Sequence, residues 1–172
     1  MSETSTWSDL GSQTASRRRR NGRRLGFLLL LLIVLAGLLN VLGPRASTAR
    51  AEADGYTLEV VHAAVARSGQ PAPLEITVDS PVPFTKPIEI VLDARLFDSL
   101  DFQNWYPNPD SETRAGDELS YEFAPPEGNQ LVVHLDARVS PGLALGPEPH
   151  WVELLIGDEV VARVDYEVWV AP

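Results

Sequence analysis

Between residues 94 and 118 the 172-residue chain gathers Asp98, Asp101, Asn104, Asn108, Asp110, Glu112, Asp117 and Glu118 around Trp105 and Tyr106. Carboxylate and amide oxygens at alternate positions are what a calcium ion takes as ligands, and Asn108-Pro109-Asp110-Ser111-Glu112 has that alternation. The pattern is incomplete. No glycine stands at the sixth position of such a loop, and Leu119 occupies the place of the closing bidentate glutamate. A solvated acidic segment accounts for the same residues, so no metal or cofactor is expected.

The other groups able to do chemistry are sparse. His62 and His134 lie inside strand-like segments and His150 follows a proline-rich turn, where a surface or edge-strand histidine is the ordinary reading. The absence of cysteine removes thiol nucleophiles, zinc–thiolate sites, iron–sulfur clusters and disulfide frameworks together. No G-x-S-x-G presents a serine sharply, and neither H-E-x-x-H, a P-loop nor a dinucleotide fingerprint occurs. Acids are numerous enough to supply the paired carboxylates of a glycosidase. A domain this small, with few polar residues inside its strands, nevertheless leaves little room for a cleft. The expectation is a protein that is not an enzyme.

The elements that must position these residues follow from charge and hydropathy. Residues 1–24 carry Arg17, Arg18, Arg19, Arg20, Arg23 and Arg24 against Glu3 and Asp9, a polar basic tail expected to be disordered. Residues 25–43 contain no charge and ten leucines. As a helix they would span about 28 Å at ~1.5 Å per residue, matching a hydrocarbon core of roughly 30 Å. Six arginines precede the run and only Arg45 and Arg50 follow it closely, which sets the N-terminus inside and the remainder outside. The expectation is an uncleaved transmembrane anchor in the cell membrane, with an extracytoplasmic C-terminal domain. A secretory signal cleaved after Ala51 is the rival, since Ala49-Arg50-Ala51 offers the site. The apolar core is too long for it, however, and Pro44 intervenes. A twin-arginine signal at Arg23-Arg24 is not supported by the following Leu25-Gly26, and no small-xxx-small pair gives a reason to expect a helix dimer.

Residues 44–55 read as a short tether. From residue 52 on, 22 acidic side chains face six basic ones, a net −16 that repels nucleic acid and anionic headgroups. Residues 56–172 read as one all-β domain. Strands are expected at Leu58 and Val60, at Leu74–Asp79, and at Ile88–Leu92. Others are expected at Leu119–Phe123, Leu131–Val139, Trp151–Ile156 and Val160–Val170. About seven short strands, proline and glycine turns and no βα alternation predict an antiparallel sandwich of the immunoglobulin or fibronectin kind. The last hairpin poses a choice of register. A two-residue Gly157-Asp158 loop suits the turn but would set Glu153 opposite Ala162 on the core face. A three-residue loop pairs Ile156 with Val160, Leu154 with Ala162 and Val152 with Val164, and puts Glu153 beside Arg163 outside. Burying a carboxylate costs more than an imperfect turn, so the three-residue register is expected.

In that register Trp151 and Trp169 fall on the outer face. With Trp105 and Tyr106 they form the candidate interaction surface, unless the long 94–118 excursion folds over them.

The chain resembles a family of short actinobacterial single-pass membrane proteins with no assigned activity. The resemblance runs through Arg17-Arg18-Arg19-Arg20-Asn21-Gly22-Arg23-Arg24-Leu25-Gly26, Gly37-Leu38-Leu39-Asn40-Val41-Leu42-Gly43 and Gly55-Tyr56-Thr57-Leu58-Glu59-Val60. It continues through Glu122-Phe123-Ala124-Pro125-Pro126-Glu127-Gly128, Asp136-Ala137-Arg138-Val139-Ser140-Pro141-Gly142 and Trp169-Val170-Ala171-Pro172. Members are often encoded beside a YetF-like integral membrane protein, which implies an accessory role toward a membrane partner and brings no catalytic residues. The expected function is an interaction protein for another membrane or envelope protein. The alternative is a ligand- or cation-binding module acting through residues 94–118.

Overall fold

The computed structural model describes residues 8–38, 45–157 and 159–171, and the chain divides into two units, the first ending at Gly43. The first unit holds a single helix, α1 (Ser8–Leu38). Arginine and leucine both favour the helix, and no proline interrupts the run. The tail expected to lack regular structure is therefore helical from Ser8 onward. Of the expected membrane span, residues 25–38 are helical and their described leucines are exposed, while residues 39–43 lie outside the described residues. Among the described residues no helix is long and apolar enough to cross a membrane.

The second unit is an all-β sandwich. Among the described residues its strands are β1 (Ala46–Ala53), β2 (Tyr56–Ala63), β3 (Val65–Arg67), β4 (Leu74–Asp79) and β5 (Ile88–Asp93). A short helix α2 (Arg95–Ser99) follows, then β6 (Leu100–Tyr106), β7 (Ser111–Ala115) and β8 (Glu118–Phe123). The last three are β9 (Gln130–Val139), β10 (Gly146–Ile156) and β11 (Glu159–Ala171). One sheet runs β1-β2-β4-β9-β6 and the other β3-β11-β10-β5-β8-β7. Pairing is antiparallel apart from β3 on β11. All seven expected strands are present, and four more join them.

Alternation explains the seven. Leu58 and Val60 of β2, Ile76 and Val78 of β4 and Val133 and Leu135 of β9 are buried from one sheet. They meet Ile90 and Leu92 of β5, Tyr121 and Phe123 of β8 and Val152 and Leu154 of β10 from the other. The four additional strands lack that pattern. β1 occupies most of the stretch expected as a tether. It pairs with β2 from Ala46↔Ala63 to Ala53↔Tyr56, and Ala49 and Ala51 rest partly on the core. The domain therefore begins near residue 46, not at Tyr56. The expected loop at 94–118 is mostly ordered too: the chain leaves the second sheet at β5, turns through α2, crosses to the first sheet as β6 and returns as β7. Trp105 is the reason for the crossing, since its ring sits between the sheets with its centroid 4.6 Å from that of Tyr121.

The final hairpin takes neither register in pure form. Val152, Glu153 and Leu154 pair with Val164, Arg163 and Ala162, as the burial argument requires. At the tip, however, Ile156 pairs with Glu159 and Leu155 with Val160, which closes a two-residue loop with Gly157 at φ 62°. Val161 is the extra residue between the two registers, a bulge that lets a favourable tight turn coexist with an outward Glu153. Deleting Val161 should force either the turn or the core face out of register, and in the second case drive Glu153 inward. We expect a loss of ~2 kcal/mol or more in urea unfolding, and an unchanged midpoint would refute the bulge's role.

Candidate functional site

Most of the polar side chains that the fold buries among the described residues lie together at one end of the sandwich. Among the described residues the buried polar or charged groups are His62, Ser80, Asp93 and His150. Three of them, with Tyr166, belong to one cluster. Asp93 ends β5 and is 1 % exposed. Arg95, in the first turn of α2, donates to it from Nε at 3.0 Å and from Nη2 at 2.8 Å, and its backbone N–H adds a bond at 3.0 Å. Burial alone would push this carboxyl up. The Arg95 guanidinium outweighs burial and holds it below the usual carboxylate range.

His150 stands beside this pair, with Nδ1 3.6 Å from Asp93 Oδ2 and Nε2 3.9 Å from Glu148 Oε2. Both distances are too long for hydrogen bonds. Glu148 is held by the Ser99 hydroxyl, which donates at 2.8 Å. Tyr166 pairs with His150 across the β10–β11 ladder, and its ring lies 5.7 Å from the imidazole. From the opposite sheet His62 lies against Tyr166 at 4.5 Å, its Nδ1 in contact with the Ala63 carbonyl at 3.1 Å. The Tyr166 hydroxyl and His150 Nδ1 are buried with no hydrogen-bond partner. Burial lowers the pKa of both imidazoles. The carboxylates of Asp93 and Glu148 partly offset it at His150, while only the Ala63 carbonyl does so at His62. Burial, with the Asp93 charge, pushes the Tyr166 phenol well above its usual range.

His62, Ser99, Glu148, His150 and Tyr166 line a cavity of about 30 Å³ whose other walls include Ala63, Ala72, Leu100, Val139, Leu143 and Val168. By the same measure a water needs ~10–15 Å³, so the space admits about two. A shallower groove of about 440 Å³ shares His62, Ala63, Pro73 and Leu74 with it.

The aromatic residues expected to form one interaction surface are not together. Trp105 is 4 % exposed and belongs to the core, because it alternates with outward Tyr106 and Asn104 on β6. Tyr106 is exposed on the outer face of the first sheet. Trp151 and Trp169 do lie on the outer face of the second sheet. Trp169 pairs with Pro147, four residues along β10 from Trp151, so Pro149 and Glu167 stand between the two rings. What shields Trp151 is Arg163, not the excursion. Its guanidinium sits 4.6 Å over the indole and is held by Glu153 at 2.7 Å and Asp165 at 3.0 Å. Trp169 stays half exposed. Of the topology arginines, Arg23 and Arg24 are exposed on α1.

The acidic residues of 94–118 are spread over α2, β6, β7 and their connections. Among the described residues no group of three or more aspartate, glutamate and histidine side chains is placed to hold a metal ion. Of the three histidines only His134 is at the surface, 3.3 Å from Glu75. His62 and His150 depart from the expectation because they continue the buried phase of their strands, Leu58-Val60-His62 and His150-Val152-Leu154. That phase was the available signal, together with an aspartate closing the apolar run Ile88-Glu89-Ile90-Val91-Leu92-Asp93.

No protein-family model and no curated protein matches the chain. Solved structures similar to it include a type I cohesin–dockerin complex from Clostridium thermocellum, 10% identical, with a TM-score of 0.39 over 62% of this chain and 89% of that one. An alkylpurine DNA glycosylase of Pseudomonas fluorescens bound to DNA is similar at 15% identity, with a TM-score of 0.29 over 63% of this chain and 28% of that one. Both scores are too low to bear on what the chain does.

The two buried imidazoles make stability depend on pH. In the unfolded chain each titrates near 6.5, and in the fold each titrates lower. The unfolded state therefore binds more protons below that value. Their contribution is complete above about pH 6.5 and declines as pH falls through the folded values, by at most ~1.4 kcal/mol per pH unit for each ring. Melting temperature should accordingly drop between pH 7.5 and 5, and His62→Phe, which keeps the ring against Tyr166, should flatten the drop. A flat profile in the parent protein would contradict the buried neutral imidazoles.

Proposed function

We propose that the chain is a non-enzymatic, single-pass membrane protein with its N-terminus inside. Its extracytoplasmic sandwich, immunoglobulin- or fibronectin-like in plan, serves as an accessory module for another membrane or envelope protein. The anchor rests on sequence: an uncharged leucine-rich run behind six arginines. Two further observations support it. The leucines from Leu28 to Leu32 are each more than half exposed along α1, a surface that seeks an apolar medium. Cleavage after Ala51 would remove Ala46 to Ala51 from β1 and leave β2 without its paired neighbour, so an integral β1 favours retention.

The observation that carries the interaction reading is the outer face of the second sheet. Glu89, Glu118, Glu122, Glu153, Asp165 and Glu167 alternate outward there with Trp151 and half-exposed Trp169, and they outnumber the guanidinium groups of Arg163 and, on edge strand β3, Arg67. Glu89 and Glu122 are even paired directly across the ladder. Like charges opposite one another cost stability, and a basic partner would relieve that cost. An exposed tryptophan beside carboxylates suits a basic protein surface and repels an anionic bilayer.

The alternative, ligand binding through 94–118, is favoured less, because that stretch is largely strand and includes core residue Trp105. Excising it would remove part of the core, so point substitutions are the proper test. We expect crosslinking and mass spectrometry on native membranes to return a reproducible membrane-protein partner. Trp169→Ala should reduce that capture several-fold without lowering the melting temperature, whereas Glu112→Gln in the excursion should leave it unchanged. Self-contacts alone, or loss with the second variant only, would defeat the reading.

A further inference from the structure

A sheet edge carries main-chain N–H and C=O groups that another strand can pair with, and most edges of this sandwich are blunted. β6 is interrupted at Gln103, where its register on β9 shifts between Phe102 and Asn104. β7 turns Glu112 and Arg114 to the face that buries Tyr121 and Leu119 opposite them, so charges point inward along that edge. β3 spans only Val65–Arg67, and the part of β11 that it leaves uncovered starts at the Val161 bulge and carries Asp165 and Glu167 outward. β1 has none of these devices. It runs from Ala46 to Ala53 without proline or bulge and, among the described residues, pairs only with β2.

The hydrogen bonds at the start of β1 fix which of its main-chain groups face the open edge. The Ala64 N–H donates to the Arg45 carbonyl at 2.7 Å, so Arg45 and Ala64 are a hydrogen-bonded pair in the ladder that continues through Ala46↔Ala63. Such pairs alternate along an antiparallel ladder. Ser47, Ala49, Ala51 and Ala53 therefore bond to β2, while the main-chain groups of Ala46, Thr48, Arg50 and Glu52 point away from it. The side chains of Thr48, Arg50 and Glu52 are exposed on the outer face, and Ala49 and Ala51 rest on the inner one.

The order Arg50-Ala51-Glu52 is complementary to itself when reversed. An antiparallel copy centred on Ala51 sets Arg50 opposite the second chain's Glu52 and Glu52 opposite its Arg50, each pair bonding through the open-edge N–H and C=O groups. A copy centred on Arg50 would set two guanidinium groups face to face, and one centred on Ala49 would leave both Glu52 carboxylates opposite Ala46. We propose that the domain pairs with a second copy of this chain, β1 against β1, in the register centred on Ala51. The two first sheets then continue as one. Arg50 and Glu52 already touch at 2.6 Å within the chain, so the pairing closes a ring of alternating guanidinium and carboxylate groups. Main-chain bonds supply the attraction, and the charges select the partner and the register. β1 edges the first sheet, so this inference stands apart from the reading of the second sheet's outer face.

The sequence has no cysteine, so one introduced thiol reports on one position. In the proposed register Ala51 faces its copy at a non-hydrogen-bonded site, where Cα atoms stand ~4.5 Å apart and a disulfide can close. Ala51→Cys, Ala49→Cys and Thr48→Cys are made in the full chain, purified in detergent and oxidised across a dilution series. Covalent dimer should form with Ala51→Cys well in excess of the other two, at an unchanged melting temperature under reducing conditions. In the Ala51→Cys background, Glu52→Arg or Arg50→Glu alone should lower the dimer yield several-fold. The two together should restore it, because the reversed order is again self-complementary. Both side chains are more than half exposed, so the swaps leave the core intact. Dominant crosslinking through Ala49→Cys, or no recovery in the double swap, would overturn the register and the charge argument. Equal yields at all three positions would show random collision. In native membranes, capture of a different protein through Ala51→Cys with no self-product would give the edge to a foreign strand. Either of these last results refutes pairing between copies, and neither touches partner capture through Trp169.

Discussion

Two sheets with no disulfide between them are held by the side chains at alternate strand positions, and each polar exception on those positions has to be compensated. That constraint governs most of the domain. Leu58, Ile76, Val133, Ile90, Leu92 and Val152 are fully buried between the two layers. It also explains the final hairpin. A tight turn at Gly157 and an outward Glu153 are incompatible in a regular ladder, and the bulge at Val161 reconciles them. The carboxylate then becomes useful outside, where it fixes Arg163 over Trp151.

The seven principal strands were legible because their alternation is itself the core. β1 was not, because Ala46-Ser47-Thr48-Ala49-Arg50-Ala51-Glu52-Ala53 has small residues where a strand usually shows valine or isoleucine. An edge strand that lays only alanines on the core needs no large apolar residue, so composition made it look like a tether. The 94–118 stretch misled for the opposite reason. Its acids and aromatics suggest a loop, yet they are divided between two sheet edges, and the one residue that decides the path, Trp105, carries no mark distinguishing it from exposed Tyr106 next to it. Register against β9 makes that distinction, and register is a property of the fold.

The buried cluster shows the same division. His62 and His150 could be placed inward from strand phase alone. The convergence of Asp93, His150, Tyr166 and His62 could not, since they come from β5, β10, β11 and β2 of two different sheets. Adjacent strands bring His150 to Tyr166, and only the sandwich brings His62 against that ring. α2 contributes Arg95 and Ser99, so the element that starts the crossing between sheets also neutralises one buried carboxylate and orients the second.

Charge separates what is structural in this cluster from what is available. Asp93 is satisfied three times over by Arg95, and removing that pairing would leave a carboxylate with 1 % exposure inside the fold, which is a stability role. Among the described residues Glu148 has the Ser99 hydroxyl and no guanidinium or ammonium, and it faces His150 Nε2 across 3.9 Å. The Tyr166 hydroxyl, a donor as well as an acceptor, is also buried without a partner at this end. The outer face of the second sheet is acidic as well, its carboxylates outnumbering Arg163 and Arg67. From residue 46 on, 22 carboxylates face seven lysine and arginine side chains, so the acidity of that broad face follows the composition of the whole domain.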